Sequence, residues 1–157
     1  MLERWTSTNG SPTPTSPSRR ATLVWVSPPG LITKPSTRWP ASSMKSRIAP
    51  SELDWKISTS TPNSEGEILD FLEEASQRVD GFLINPGGLT HTSVALRDGL
   101  VGVGLPFVEV HLSNTTAREH FRSHSYLSPV AAGVVLGFGS QGYLLALRGI
   151  VARITSE

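Results

Sequence analysis

From residue 63 to residue 157 the sequence predicts an α/β fold, in which helices cover both faces of a parallel sheet. Short apolar segments alternate with segments of helical periodicity. Turns that contain Gly, Pro or Asn separate these segments. Strands joined through helices pair in parallel by right-handed crossovers, so both faces of the sheet are expected to be covered.

The first predicted helix begins at Asn63 or Ser64. Glu67 follows Ser64 by three residues, which is the spacing of a capping box. The helix is expected to end near the turn-forming pair Asp80-Gly81. Between these limits apolar side chains recur with the period of a helix, at Ile68, Leu69, Leu72 and Ala75.

The remaining elements alternate along the chain. The predicted strands lie in GFLINPGG (81–88), PFVEVHLSN (106–114) and VAAGVVLGF (130–138). The predicted helical segments are THTSVALRDGL (90–100), a turn at AREHF (117–121) and the amphipathic SQGYLLALRGIVARI (140–154). In such a sheet ligands gather beyond the carboxyl ends of the strands. Asn85 and the polar end of the second strand are therefore expected to face one crevice.

Residues 1–62 differ in character from residues 63–157. They contain 12 Ser, 9 Thr and 9 of the 12 Pro, and they carry 8 basic and 3 acidic side chains, whereas the remainder carries 6 basic and 10 acidic ones. Only ATLVWV (21–26) resembles a strand, and the prolines around it are unfavourable for a long helix or a central strand. We therefore predict that residues 1–62 are aberrant and poorly structured.

The composition favours a soluble cytoplasmic protein. The formal charge of +1 gives no general attraction to nucleic acid or to an anionic membrane. The chain contains no cysteine, which excludes disulfides and thiolate nucleophiles. No apolar run of about 18 residues could span a bilayer, and MLERWTSTNG lacks the apolar segment of a signal peptide.

Polar and apolar side chains alternate in PFVEVHLSN. Since alternate residues of a strand point to the same face, Glu109, His111 and Ser113 are expected to line one side while Val110 and Leu112 pack behind them. The Glu109 carboxylate would hold the imidazole tautomer and favour its protonated form, as a general acid requires. One alternative is that the strand is merely half-exposed, and another is that the pair forms a structural hydrogen bond.

Two other patterns suggest different chemistry. GFGSQG (137–142) has the spacing of a dinucleotide-binding turn, but the further strand with an acidic residue does not follow, so a tight turn with close helix packing is preferred. His120 and His124 are four residues apart, yet no third metal ligand has suitable spacing. Surface histidines are the simpler interpretation.

Several segments together resemble type II 3-dehydroquinate dehydratase: NSEGEILDFLEEA (63–75), INPGGLTHTSVALRD (84–98), PFVEVHLSN and AREHFRSHSYLSPVAAGVVLGFGSQGY (117–143). The resemblance covers about residues 63–148. It implies a flavodoxin-like three-layer domain, a homododecamer built from trimers, no metal and no organic cofactor. The implied reaction is an anti elimination of water from 3-dehydroquinate.

The resemblance also implies roles for individual residues. His111 would be the general acid that protonates the departing hydroxyl, and Glu109 would orient it. Asp98 would contribute to the site of a neighbouring subunit. The residues implied to bind the substrate are Asn85, His91, Leu112 through its backbone, Ser113 and Arg122.

The amino-terminal third departs from the family pattern. That pattern begins with a central strand ending in a motif like LNGPNLN, followed by a loop bearing an arginine and the tyrosine that removes a proton. The only tyrosines of this chain are Tyr126 and Tyr143. We therefore predict impaired catalysis, with a non-catalytic ligand-binding or assembly protein as the alternative. Whether ATLVWV supplies the central strand stays open at this point.

The change of composition also suggests that residues 1–62 are read in a shifted frame, with the correct frame resuming near Thr61. Resequencing of the coding DNA tests this hypothesis, since an unbroken frame through this region would reject it.

Overall fold

The computed structural model describes residues 22–26, 56–60, 62 and 64–156. Within these residues five parallel strands form one sheet in the order β2-β1-β3-β4-β5. This is the strand order of flavodoxin-like domains, so the predicted fold class is confirmed. The strands are β1 (Thr22–Val26), β2 (Lys56–Ser60), β3 (Gly81–Ile84), β4 (Phe107–His111) and β5 (Gly133–Leu136).

Two of these strands come from the Ser/Thr/Pro-rich part of the chain. β1 lies within ATLVWV and pairs with β3 from Leu23 opposite Gly81 to Val26 opposite Ile84. This segment therefore occupies the interior position that the sequence left open, although the prolines around it are unfavourable for a central strand. β2 was not predicted and forms the edge next to β1. The prediction for the rest of residues 1–62 falls almost entirely outside the described residues and stays a prediction.

Three α-helices are described: α1 (Glu65–Ser76), α2 (Val94–Val103) and α3 (Gln141–Thr155). The predicted capping box begins α1, since the Ser64 hydroxyl accepts from Glu67 N and the Glu67 carboxylate accepts from Ser64 N. The helix ends at Ser76, earlier than predicted. Segment 90–100 is not one helix, because a 3-10 turn spans Gly87–His91 before Ser93 caps α2.

The core lies in two layers, one on each face of the sheet. Alternation along β3 places Phe82 and Ile84 against α1 and α2, and Leu83 against α3. β4 alternates in the same way, with Val108 and Val110 packed against α3. Its opposite side chains therefore face the α1 and α2 side. Among the described residues, no helix is long and apolar enough to cross a membrane.

Candidate active site

A pocket of about 230 Å³ opens at the carboxyl ends of β3 and β4. Six of the predicted site residues line it, while Glu109 lies directly behind His111 and Asp98 lies elsewhere on α2. The strand that carries Glu109 and His111 is buried along its whole length, so the half-exposed alternative was wrong. The lining residues are Asn85, Gly87, His91, His111, Leu112, Ser113, Thr115, Arg118 and Arg122.

The Glu109 carboxylate is 1% exposed and is surrounded by donors. His111 Nε2 lies 2.7 Å from Oε1, and the Ser128 hydroxyl donates to Oε2 at 2.7 Å. The hydroxyls of Thr90 and Ser125 also donate to it. A buried charge is tolerated only when its lone pairs are satisfied, and this carboxylate meets that condition.

These contacts determine the ionisation of Glu109. Burial alone would raise its pKa, but hydrogen bonds from His111, Thr90 and Ser128 outweigh burial and hold the pKa below the ordinary value. The side chain is therefore a carboxylate near neutral pH. As a carboxylate it only accepts hydrogen bonds, so it requires a donor from each neighbour.

The hydrogen bond with Glu109 fixes the tautomer of His111. Because the carboxylate accepts, Nε2 carries the proton and Nδ1 is the nitrogen left for a pocket ligand. His111 is 7% exposed, and it lines the pocket. This arrangement suits proton transfer to or from a bound molecule.

His91 is the second imidazole of the pocket, and its two ring nitrogens have the opposite roles to those of His111. Its Nδ1 lies 2.6 Å from the carbonyl oxygen of His124, and a carbonyl can only accept, so Nδ1 carries the proton. Nε2 is buried and has no hydrogen-bond partner among the described residues. It is therefore an acceptor that a ligand hydroxyl could satisfy. The His91 and His111 rings lie nearly parallel, with centroids 6.4 Å apart.

The Asn85 carboxamide is held at both ends by protein groups. Its Oδ1 accepts from Gly87 N at 3.2 Å, and its Nδ2 donates to the hydroxyl of Tyr143 at 2.7 Å. Burial of Tyr143 raises the pKa of its phenol well above the ordinary value, even though the hydrogen bond from Asn85 acts in the opposite direction. Tyr143 is therefore a neutral hydroxyl and not a phenolate base.

Two guanidinium groups make the pocket lining cationic. Arg118 and Arg122 both line it, and its lining includes no carboxylate. Glu119 lies beside them, with its Oε2 2.7 Å from Arg122 Nε and 3.4 Å from Arg118 Nε. Both contacts use Nε, so these two ion pairs do not involve the terminal nitrogens of either guanidinium group.

The glycine-rich segment 137–142 forms the turn between β5 and α3. Gly137 and Gly139 have φ values of +87° and +53°, which side-chain-bearing residues rarely adopt. Their amide groups donate to the carbonyl oxygens of His111 and Leu112. The turn thereby holds the end of β4 in place, in agreement with the preferred interpretation of this segment.

The sequence did not identify every important side chain. Thr90, Ser125 and Ser128 were missed as partners of Glu109, and Arg118 was not predicted to line the pocket. Asp98 is exposed and pairs with Arg97 at 3.1 Å, outside the pocket. In the described part of the chain, no group of three His, Asp or Glu side chains is placed to hold a metal ion.

A protein-family model named Dehydroquinase class II matches residues 40–151. The chain belongs to this family. The match begins before residue 63, where the predicted resemblance started. The class II dehydroquinase match thus covers strands β2 to β5, helices α1 and α2, and α3 as far as residue 151.

Individual relatives agree with the dehydroquinase assignment. The 3-dehydroquinate dehydratase of Gloeobacter violaceus is 56% identical over 99 residues, which cover 63% of this chain and 62% of that protein. The 3-dehydroquinate dehydratase 2 of Pseudomonas aeruginosa is 60% identical over 91 residues, which cover 58% of this chain and 62% of that protein. The chain thus spans less than two thirds of the length of these relatives.

A solved type II dehydroquinase from Butyrivibrio crossotus has a similar fold. It superimposes with a TM-score of 0.71 and 29% sequence identity, covering 87% of this chain and 98% of that chain. Structural similarity therefore extends over more of the chain than the sequence similarity to the curated relatives does.

Proposed function

We propose that this chain binds 3-dehydroquinate in the pocket at the ends of β3 and β4 and dehydrates it to 3-dehydroshikimate. The observation that carries the proposal is the pairing of His111 with an ionised, buried Glu109 beside two guanidinium groups. An anionic substrate with a departing hydroxyl requires an anion clamp and a proton donor. The pocket offers both in one place.

Each side chain has a role in this proposal. A second proton, carried on His111 Nδ1, passes to the departing hydroxyl, while Glu109 accepts from Nε2 and positions the imidazole. Arg122 binds the substrate carboxylate, with Arg118 adding positive charge. His91 accepts a hydrogen bond from a substrate hydroxyl through Nε2. The remaining contacts come from Asn85, Ser113 and the backbone of Leu112.

We propose further that turnover is impaired because this chain has no tyrosine in the position of a base. Tyr143 is buried, neutral and hydrogen-bonded to Asn85. Tyr126 packs edge-on against His124 and does not line the pocket. A phenol must lose its proton to act as a base, and the burial of Tyr143 and the position of Tyr126 outside the pocket support this proposal.

Calorimetry and a continuous assay of enone formation test this proposal together. The chain is expected to bind dehydroquinate while turning it over far more slowly than the ordinary range of about 1 to 1,000 per second. Ordinary turnover would contradict the impairment, and failure to bind would contradict the assigned pocket. Binding with no turnover at all would favour the alternative, a non-catalytic ligand-binding or assembly protein.

We also propose that the chain assembles as a homododecamer in which Asp98 reaches the pocket of a neighbouring subunit. Its exposure and its separation from the pocket of its own chain support this role. Asp98→Ala is expected to weaken dehydroquinate binding several-fold, whereas Asp70→Ala, on the exposed face of α1, should not. Light scattering measures the assembly. A monomer that binds substrate equally well with and without Asp98 would refute the proposal.

A further inference from the structure

We infer that Tyr143 is a positioning residue, which fixes the carboxamide of Asn85 so that an N–H group faces the pocket. The inference rests on the proposed function for the identity of the ligand. It concerns a side chain that does not itself line the pocket. Tyr143 belongs to α3, on the opposite face of the sheet from α1 and α2.

The hydrogen bonds identify the two ends of the carboxamide without ambiguity. The backbone N–H of Gly87 can only donate, so the atom of Asn85 that it contacts at 3.2 Å is the oxygen. The other end is therefore nitrogen, and it lies 2.7 Å from the Tyr143 hydroxyl. That hydroxyl accepts one of the two amide protons.

Tyr143 is well suited to fix a neighbour because it is itself fixed. It is 2% exposed, and its ring belongs to the core layer that includes Leu83, Val110 and Leu147. Gly142, directly before it, lies close to the sheet, since a Cβ built there would be in van der Waals contact with a methyl of Val135, 3.4 Å away. The position of the hydroxyl is thereby determined by packing and not by the pocket ligand.

These hydrogen bonds determine which kind of ligand atom Asn85 can bind. With Oδ1 bonded to Gly87 and one amide proton bonded to Tyr143, the second amide proton has no acceptor among the described residues. Asn85 therefore offers a donor to the ligand. This N–H group favours a ligand that places an acceptor atom beside Asn85, such as a carboxylate or hydroxyl oxygen of a polyhydroxylated acid. A ligand that places only a donor there would be disfavoured.

A double-mutant cycle on dehydroquinate binding tests the coupling. Tyr143→Phe removes only the hydroxyl and is expected to raise Kd about three- to tenfold, the equivalent of one hydrogen bond. The same change in an Asn85→Ala background should alter Kd less than twofold. Tyr126→Phe, the matched control with the other tyrosine, should leave Kd unchanged.

A parallel cycle on urea unfolding uses no ligand. Asn85→Ala and Tyr143→Phe should each lower the unfolding midpoint, and the double variant should lower it by less than their sum. Independent effects in either cycle would overturn the inference. If the unaltered chain binds no dehydroquinate, the proposed function fails, and the unfolding cycle alone decides whether Tyr143 holds Asn85.

Discussion

His111→Ala is expected to reduce the residual dehydration of dehydroquinate by at least about a hundredfold, the smallest loss typical of a removed general acid. Without the imidazole the substrate hydroxyl must leave as hydroxide. Binding is expected to change much less, because the two guanidinium groups and Asn85 remain in the pocket. The expected signature is therefore a fall in kcat with little change in Kd.

The experiment needs high enzyme concentrations, since the unaltered chain is itself expected to be slow. His120→Ala is the control, because His120 is exposed and does not line the pocket. Added imidazole should restore part of the activity of His111→Ala and should not affect the control. An unchanged kcat in His111→Ala would remove His111 from the proposed reaction.

The sequence correctly predicted those features that depend on residues close to one another in the chain. The start of α1 follows from the three-residue spacing of Ser64 and Glu67, and the structure shows both reciprocal hydrogen bonds. The period of two along β4 placed Glu109 and His111 on one face, which their 2.7 Å contact confirms. In both cases the interacting side chains are separated by no more than one turn or one pleat.

Long-range contacts were not predictable in the same way. Thr90 and Ser128 each lie 19 residues from Glu109, and Tyr143 lies 58 residues from Asn85. No periodicity relates such positions, because the fold alone brings them together. A serine or threonine in a loop also has many common local roles, so its residue type carried no signal.

Strand β2 was not predicted for a different reason, which is its low content of apolar residues. Its sequence KISTS contains one strongly apolar residue, whereas recognition of a strand from sequence depends on several. Pairing with β1 uses backbone groups, which every residue of this segment supplies. An edge strand therefore requires fewer apolar side chains than the buried strands β3 and β4.

Glu109→Gln is expected to lower the free energy of unfolding by about 2 to 4 kcal/mol at neutral pH, because it removes a buried charge that four neighbours were arranged to satisfy. The amide that replaces one carboxylate oxygen is a donor. It then meets side chains that already donate at this site, namely Thr90, Ser125, Ser128 and His111.

The effect should depend on pH in a definite direction. The pKa of Glu109 is lowered in the folded chain, so its ionised form contributes stability above the unfolded pKa of about 4.3. That contribution is lost as the pH falls through the folded pKa. The difference between the unaltered chain and Glu109→Gln is therefore expected to be constant near neutral pH and to shrink in acid.

Ser128→Ala provides a graded form of the same test. Removing one donor should raise the pKa of Glu109 toward its ordinary value, so the stability lost in acid should be smaller than in the unaltered chain and its loss should be complete at a higher pH. Glu73→Gln, at an exposed position of α1, is the control, and it should change neither the free energy of unfolding at neutral pH nor its dependence on pH in acid. Urea unfolding at a series of pH values and one protein concentration measures all four proteins. A stability difference for Glu109→Gln that does not shrink in acid would show that the Glu109 charge does not stabilise this fold.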